Sequence, residues 1–202
     1  MEATCKLWED HLRHHPDRQR ALDELASLGI DPDGETVKAF RIGYAPPEID
    51  GEHAAVRDRL IFPVIDEEGQ VVAFIGRALP PRSTQEGKKA AVVPKYARSP
   101  ESAIVIFQRG RTFFGLWQAK EAIRLQGHVV MVEANIDVLR SYEKGHRNIV
   151  APLGATFTTG HSRLIAKYTD KVTLAFEDDG AGREASEVAA TVCRAEGLEV
   201  RG

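Results

Sequence analysis

The sequence predicts an α/β protein, with a parallel sheet flanked by helices in its C-terminal half and a smaller mixed α+β subdomain before it. From Gly127 onward, short unbroken apolar runs alternate with amphipathic helical patterns, which is typical of βαβ units. Upstream, two β-rich runs flank the sequence DEEG, which is typical of a hairpin turn. A chain of 202 residues is long enough for two small domains. We therefore predict a basic N-terminal α+β subdomain over 1–126 and a second domain over 127–202.

The N-terminal subdomain is predicted to begin with helices and to continue into the hairpin. Apolar residues recur at helical spacing across 3–28, with a break near Pro16 and a C-terminal cap at Gly29. The runs RLIFPVI (59–65) and QVVAFIG (70–76) are the two predicted hairpin strands. Further along, the pattern predicts a mobile basic loop at 80–94, a strand at 103–107 and a helix through roughly 115–126.

The C-terminal half alternates regularly between the two kinds of element. Four apolar runs are short and unbroken, which favours strands that are covered on both faces. The predicted strands are 129–133, 148–154, 171–176 and 198–201. The predicted helices lie near 136–144, 158–168 and 181–195.

Bulk composition favours an ordinary globular protein of the cytosol. The hydrophobic share is 43% and the charged share is 28%, which are typical of soluble domains. No apolar stretch approaches the roughly 20 residues that span a bilayer, so we expect no membrane association. The N-terminus becomes charged too early for a secretory signal. Cys5 and Cys193 are far apart in sequence, which argues against a disulfide framework or a cysteine zinc site.

Charge is distributed unevenly along the chain. Residues 77–124 contain ten Lys and Arg against three Asp and Glu, whereas 1–76 contain eight against sixteen. Residues 125–202 are close to balanced, with nine against eleven. A basic stretch that precedes a metal site built from acidic residues would suit a polyanion held electrostatically near its reaction site. An uneven but solvated surface is the alternative interpretation.

Acidic residues follow two of the predicted parallel strands. Glu133 comes directly after VVMV, and Glu177 and Asp179 come after VTLAF. Because ligands bind at the carboxyl ends of parallel strands, neighbouring strands would bring these three carboxylates together. Hard divalent cations prefer such oxygen ligands. The pattern therefore predicts a metal-dependent phosphoryl-transfer site, with Asp137 on the same side of the following helix.

These motifs resemble a known family. An acid that ends one strand, followed by an acid-x-acid-x-x-Gly loop after another, resembles the Toprim domain, and the chain is similar to bacterial DnaG-type primases. The family's VEGxxDV appears as VEANIDV (132–138), and its FDGDxAGxxA appears as FEDDGAGREA (176–185). Between them, APLGATFT (151–158) resembles the family's TLGTxLT segment. Three upstream segments resemble the N-terminal catalytic subdomain of primases: 25–46, 57–79 and 94–116.

The resemblance implies a DNA primase catalytic core that makes short RNA primers on single-stranded DNA from ribonucleoside triphosphates. It implies that Glu133, Glu177 and Asp179 bind catalytic Mg²⁺ or Mn²⁺, with Asp137 as a nearby catalytic acid. It further implies a replicative helicase as a partner, through regions absent here. The residues expected on the nucleic-acid and nucleotide side are Arg57, Arg59, Arg77, Lys95, Tyr96, Arg109 and Arg111.

Several departures from the family pattern keep other functions open. Glu177 stands where the family has Asp, Asp178 where it usually has Gly, and Ala134 where it has Gly. A longer ligand side chain matters because octahedral Mg²⁺ tolerates little displacement. The chain also ends before the family's last acidic motif, which fits either an excised core or a shortened relative. The alternatives are a Toprim module that binds single strands or a replication partner without catalysis, and a Toprim nuclease.

Overall fold

The computed structural model describes residues 1–81, 94–98, 109–153 and 157–202. Its contacts form two compact units. The first comprises Met1–Val64 and Val71–Ile106, and the second comprises Ile65–Gln70 and Phe107–Gly202. Within the described ranges, no helix is both long and apolar enough to span a bilayer.

The first unit combines three helices with a four-stranded sheet, whose strand order is β1-β2-β3-β4. The helices are α1 (Glu2–His14), α2 (Gln19–Ser27) and α3 (Glu35–Ala39). The strands are β1 (Gly43–Ala45), β2 (Arg59–Ile65), β3 (Val71–Ala78) and β4 (Tyr96–Arg98). A 3-10 helix, Gly51–Val56, precedes β2. The β1–β2 and β3–β4 pairs are antiparallel.

The predicted hairpin is confirmed, and its turn has a clear local cause. The Asp66 carboxylate accepts hydrogen bonds from the backbone amides of Glu68 and Gln70, at 3.1 and 2.8 Å. Gly69 adopts a φ of +88°, a conformation that side chains disfavour. Every residue of β2 is buried, so the hairpin provides much of the core of the first unit.

The expected break between the first two helices is also confirmed, because α1 ends two residues before Pro16. Gly29 follows α2 with a φ of +75°, as a C-terminal cap requires. Trp8 anchors α1 against the sheet, since a Cβ on Gly43 would lie 2.8 Å from that of Trp8. The predicted strand at 103–107 and most of the predicted loop at 80–94 lie outside the described residues.

Two histidines in this unit make its stability sensitive to pH. Burial lowers the pKa of both His11 and His53 below their ordinary value of 6.5. As pH falls below about 6.5, these histidines are therefore protonated in the unfolded chain before they are protonated in the folded chain. Protonation then favours the unfolded state. We expect the urea midpoint of unfolding to decrease from pH 7 to pH 5, a range above the ordinary titration of carboxyl groups.

A matched variant identifies the source of this pH dependence. The His53 ring makes edge-on contacts with Trp8 and Phe74, at centroid distances of 5.3 and 5.8 Å. Phenylalanine preserves these contacts and does not titrate, so His53→Phe should flatten the change in urea midpoint between pH 5 and pH 7. An unchanged slope in this variant would contradict the assignment to His53.

The second unit is built on a five-stranded sheet, with the strand order β5-β7-β6-β8-β9. The strands are β5 (Phe113–Phe114), β6 (Val129–Val132), β7 (Ile149–Pro152), β8 (Lys171–Ala175) and β9 (Glu199–Arg201). The helices are α4 (Leu116–Gln126), α5 (Asn135–Glu143), α6 (Thr159–Ala166) and α7 (Gly180–Ala195). Strands β6 to β9 pair in parallel, whereas β5 pairs antiparallel with β7.

The antiparallel edge strand β5 was not predicted. Phe113 and Phe114 are 0% and 1% exposed, so their burial fixes a strand that is only two residues long. Phe113 belongs to the same apolar core as Leu116, Ala119 and Ile123 of α4. Residues 107–126 therefore group with the second compact unit in the structure.

Candidate functional site

Two acidic side chains lie at the carboxyl rim of the parallel sheet. Strands β6 and β8 are direct neighbours, and Val132 pairs with Ala175 at their ends. Glu133 follows this pair by one residue and Glu177 by two, so both leave the same rim. Both residues are exposed, and neither carboxylate has a hydrogen-bond or ion-pair partner within the described ranges. The rim thus presents two carboxylates that are free to accept a cationic ligand.

The remaining acids of the loop after β8 have structural partners. Asp179 is the N-cap of α7, and its Oδ1 accepts a hydrogen bond of 2.7 Å from the Gly182 amide. This bond occupies one carboxylate oxygen and leaves the second available. Asp178 forms a 2.9 Å ion pair with Arg183, and both side chains are exposed.

Gly182 determines how the loop after β8 packs on α7. A Cβ at this position would lie 2.0 Å from the carbonyl oxygen of Glu177 and 3.1 Å from its amide nitrogen. No side chain fits at this position. Because glycine has none, the first turn of α7 can contact the backbone of Glu177 directly. Gly180 differs, because a Cβ there would meet nothing within 4 Å.

The start of α5 lies next to Glu133 in the chain. Asp137 occupies the first turn of this helix and is half-buried. The Asn135 side-chain amide nitrogen is buried without a hydrogen-bond partner, which is costly unless a ligand completes the site. Sequence reasoning missed Asn135, although its position within VEANIDV could have drawn attention to it.

The donors at the rim fit a hard divalent cation. Among the residues that the structure describes, no three His, Cys, Asp or Glu side chains are close enough to hold a metal ion together. Mg²⁺ does not need such a cage, because it usually retains several waters and binds through one or two carboxylates and substrate phosphates. Glu133 and Glu177 are two exposed carboxylates of this kind. Metal binding by Glu133, Glu177 and Asp179, with Asp137 nearby, stays a prediction.

Two of the residues expected to bind nucleic acid instead have partners within the first unit. Arg59 is 5% exposed and donates to the carbonyl oxygens of Pro94 and Gly76, at 2.9 and 3.4 Å. Burial also lowers the pKa of Arg59. Arg77 forms a 2.6 Å ion pair with Glu24, and both side chains are largely buried. These contacts favour a positioning role for Arg59 and Arg77.

Other basic residues of the first unit face solvent. Arg57 is exposed, and its ion pair with Asp50 is long, at 4.0 Å. Lys95 and Tyr96 are exposed, and the Lys95 ammonium lies 5.9 Å from the centre of the Tyr96 ring. The Tyr96 hydroxyl accepts a 2.7 Å hydrogen bond from Arg77, which holds the ring in place. This surface combines cations with an aromatic face, as binders of single strands do.

The last two expected residues belong to a 3-10 helix, Arg109–Arg111, in the second unit. Arg111 is exposed, whereas the side chain of Arg109 lies outside the described residues. Burial tends to raise the pKa of Glu67, but hydrogen bonds from Lys167 and Tyr168 and the charge of Arg111 lower it overall. Arg111 therefore lies within electrostatic reach of Glu67.

Two family models match the chain over most of its length. Residues 49–120 match the DNA primase catalytic core, N-terminal domain, and residues 130–202 match the Toprim-like domain. The chain belongs to the DnaG-type primase catalytic-core family. The resemblance stated from the sequence motifs is thereby confirmed.

Individual primases are similar to this primase-family chain over nearly all of its residues. The DNA primase of Aquifex aeolicus is 30% identical over an alignment of 226 positions, which covers 99% of this chain and 42% of that protein. The DNA primase of Listeria innocua is 35% identical over an alignment of 223 positions, which covers 95% of this chain and 33% of that protein. The chain thus spans less than half the length of these relatives.

A solved primase structure confirms the predicted fold class. The structure of the DnaG primase catalytic domain bound to ssDNA is 26% identical to this chain and has a TM-score of 0.82. The match covers 100% of this chain and 68% of that one. A Toprim-type parallel sheet and an N-terminal antiparallel sheet are therefore the architecture of this primase-family core.

Proposed function

We propose that this chain is a DNA primase catalytic core that joins ribonucleoside triphosphates into short RNA on a single-stranded DNA template. The observation that carries the proposal is the pair of unpartnered carboxylates, Glu133 and Glu177, at one rim of a Toprim-type sheet. Family membership supports the reaction, since the similar proteins are DNA primases. The strand in the related DnaG structure supports single-stranded DNA as the template.

Glu133 and Glu177 would hold Mg²⁺ or Mn²⁺, with one oxygen of Asp179 available beside them and Asp137 as a nearby acid. The bound ion would supply charge neutralisation for the triphosphate and a more acidic attacking hydroxyl. The chain itself supplies the geometry, because β6 fixes the backbone before Glu133 and the close approach of Gly182 fixes that of Glu177. Asn135 is a candidate donor to a ligand at the same rim, since its buried amide nitrogen is unpartnered.

The exposed basic residues would bind template or nucleotide phosphates. These are Arg57 and Lys95 in the first unit and Arg111 in the second, with Arg109 in the same turn as Arg111. Tyr96 offers a face on which a base can stack. Phosphate binding of this kind weakens as salt concentration rises, because it releases counterions. The family further suggests a replicative helicase as a partner and the cytoplasm as the location.

The test is incorporation of labelled ribonucleotides on mixed-sequence single-stranded DNA, with Mg²⁺, with Mn²⁺ and with a chelator. We expect short RNA products that require both the template and a divalent cation. The comparison of the two metals bears on Glu177, whose side chain is one methylene longer than the family's Asp. Degradation of the template in the presence of metal would favour a nuclease instead.

A binding module without catalysis is the second candidate. It is favoured by Glu177, whose side chain is one methylene longer than the Asp that the family has at this position. Ala134 and Asp178, which stand where the family has Gly, also favour a module that binds without catalysis. Salt-dependent DNA binding that is indifferent to Mg²⁺ and Mn²⁺, together with no RNA product, would support this candidate over the primase.

A further inference from the structure

The start of α6 contacts a second segment that is distant in the sequence. We call residues 109–112 the basic turn; they comprise the 3-10 helix Arg109–Arg111 and Thr112. The Thr158 hydroxyl donates a hydrogen bond to the carbonyl oxygen of Gly110. His161 Nε2 lies 3.2 Å from the carbonyl oxygen of Thr112. Two side chains of one helical turn thus bind the backbone of the basic turn.

The hydrogen-bond partners of His161 are consistent with one neutral tautomer of its ring. A carbonyl oxygen only accepts, so Nε2 carries the hydrogen toward Thr112. The other nitrogen, Nδ1, then accepts from the Thr158 amide at 3.2 Å, which completes a capping box. The ring is 0% exposed and packs edge-on against Phe113 and stacked on Phe157, at centroid distances of 5.0 and 5.1 Å. Both nitrogens and both sides of the ring are therefore in use.

Gly160 brings the two backbones into direct contact. A Cβ at this position would lie 2.4 Å from the Gly110 carbonyl oxygen and 2.9 Å from Cγ of Arg111. Thr158, Gly160 and His161 together are named the clamp. A capping box stabilises its own helix with bonds inside that helix. The bonds to Gly110 and Thr112 reach beyond the helix, so capping alone does not account for them.

We propose that the clamp positions the basic turn for phosphate binding. Arg111 is exposed at this turn, and the clamp holds the backbone carbonyls of Gly110 and Thr112 on either side of it. A guanidinium binds phosphate best when its direction is fixed in advance, because less conformational entropy is then lost on binding. Thr158, Gly160 and His161 are positioning residues that act through the turn. This inference rests on the proposed function, which gives Arg111 a phosphate to bind.

The experiment measures binding to the intact chain without any divalent cation. One arm titrates a fluorescent oligothymidylate, and the other titrates ATP, which separates strand phosphates from nucleotide phosphates. In at least one arm, Arg111→Ala should weaken binding about fivefold, and in the strand arm it should reduce the salt slope by roughly one. Thr158→Val, which keeps the shape but loses the hydroxyl, should weaken the same arm by about threefold. Thr158→Ser should bind like the unsubstituted chain.

Non-additivity separates positioning from general destabilisation. If Thr158 acts through the turn, Thr158→Val should cause no further loss in the Arg111→Ala background. His161→Gln retains an acceptor for the Thr158 amide, so it should bind better than His161→Leu. Urea unfolding of each variant is the control that shows whether the variant is folded under the conditions of the binding measurement.

Two results would overturn the inference. One is unchanged binding by Thr158→Val in both arms, and the other is unchanged binding by Arg111→Ala in both arms. The absence of RNA synthesis by the unsubstituted chain would instead remove the primase proposal, and the binding comparison would still decide the role of the clamp.

Discussion

Glu133→Gln is expected to abolish template-directed RNA synthesis while leaving the fold intact. Glutamine keeps the length of the side chain but removes the negative charge that a divalent cation requires. Because bound metal contributes several kcal/mol to phosphoryl transfer, the loss should be about a thousandfold or more. Glu133 is exposed and unpartnered within the described ranges, so the free energy of unfolding should change little. Primer yield and urea unfolding measure the two effects.

Asp178→Asn is the matched control for this prediction. Asp178 lies in the same loop as Glu177, but its carboxylate pairs with Arg183 at the surface. Exposed pairs of this kind contribute little to stability, so both activity and folding should be nearly unchanged. Equal activity of Glu133→Gln and the unsubstituted chain would exclude Glu133 as a metal ligand. Equal loss in both variants would mean that the rim responds only to its total charge.

Hydrophobic pattern was sufficient to predict the repeating part of the fold. The run before Glu133 is unbroken and apolar, and β6 is an inner strand whose residues are buried or half-buried throughout. The run before Glu177 forms the inner strand β8, which alternates instead, with Val172 and Leu174 buried and Lys171 and Ala175 exposed. The helices between them have clear ends, such as the Thr158 cap of α6. The local sequence therefore predicts where these helices and strands lie. Their alternation along the chain predicts that the strands pair in parallel.

Short edge elements depend on long-range packing and could not be predicted in this way. Strand β5 has two residues, too few for any period, and it exists because Phe113 and Phe114 are buried against the sheet. The family resemblance implies that Arg59 is on the nucleic-acid side, whereas its side chain is buried, at 5% exposure. Its burial depends on carbonyl oxygens from Gly76 and Pro94, which are 17 and 35 residues away. A single sequence does not reveal such partners.

Gly182→Ala is expected to disable the rim by moving Glu177. The new Cβ would lie 2.0 Å from the Glu177 carbonyl oxygen, so one of the two backbones must shift by more than 1 Å to reach ordinary contact. A displacement of about 1 Å in a catalytic group can cost roughly a hundredfold in rate. Primer synthesis should fall by about that factor, and half-maximal activity should require more Mg²⁺. Crowding should also lower the free energy of unfolding by about 1–3 kcal/mol.

Gly180→Ala distinguishes this steric effect from the general cost of altering a glycine at a helix start. The two glycines look equivalent in the motif GAG, yet a Cβ on Gly180 would meet nothing within 4 Å. Alanine there should retain activity and stabilise the helix by up to about 1 kcal/mol. Single-stranded DNA binding without metal reports on the remainder of the fold and should be retained by both variants. Full activity of Gly182→Ala at ordinary Mg²⁺ would mean that the position of Glu177 does not govern the reaction, and the assignment of Glu177 as a metal ligand would then fail.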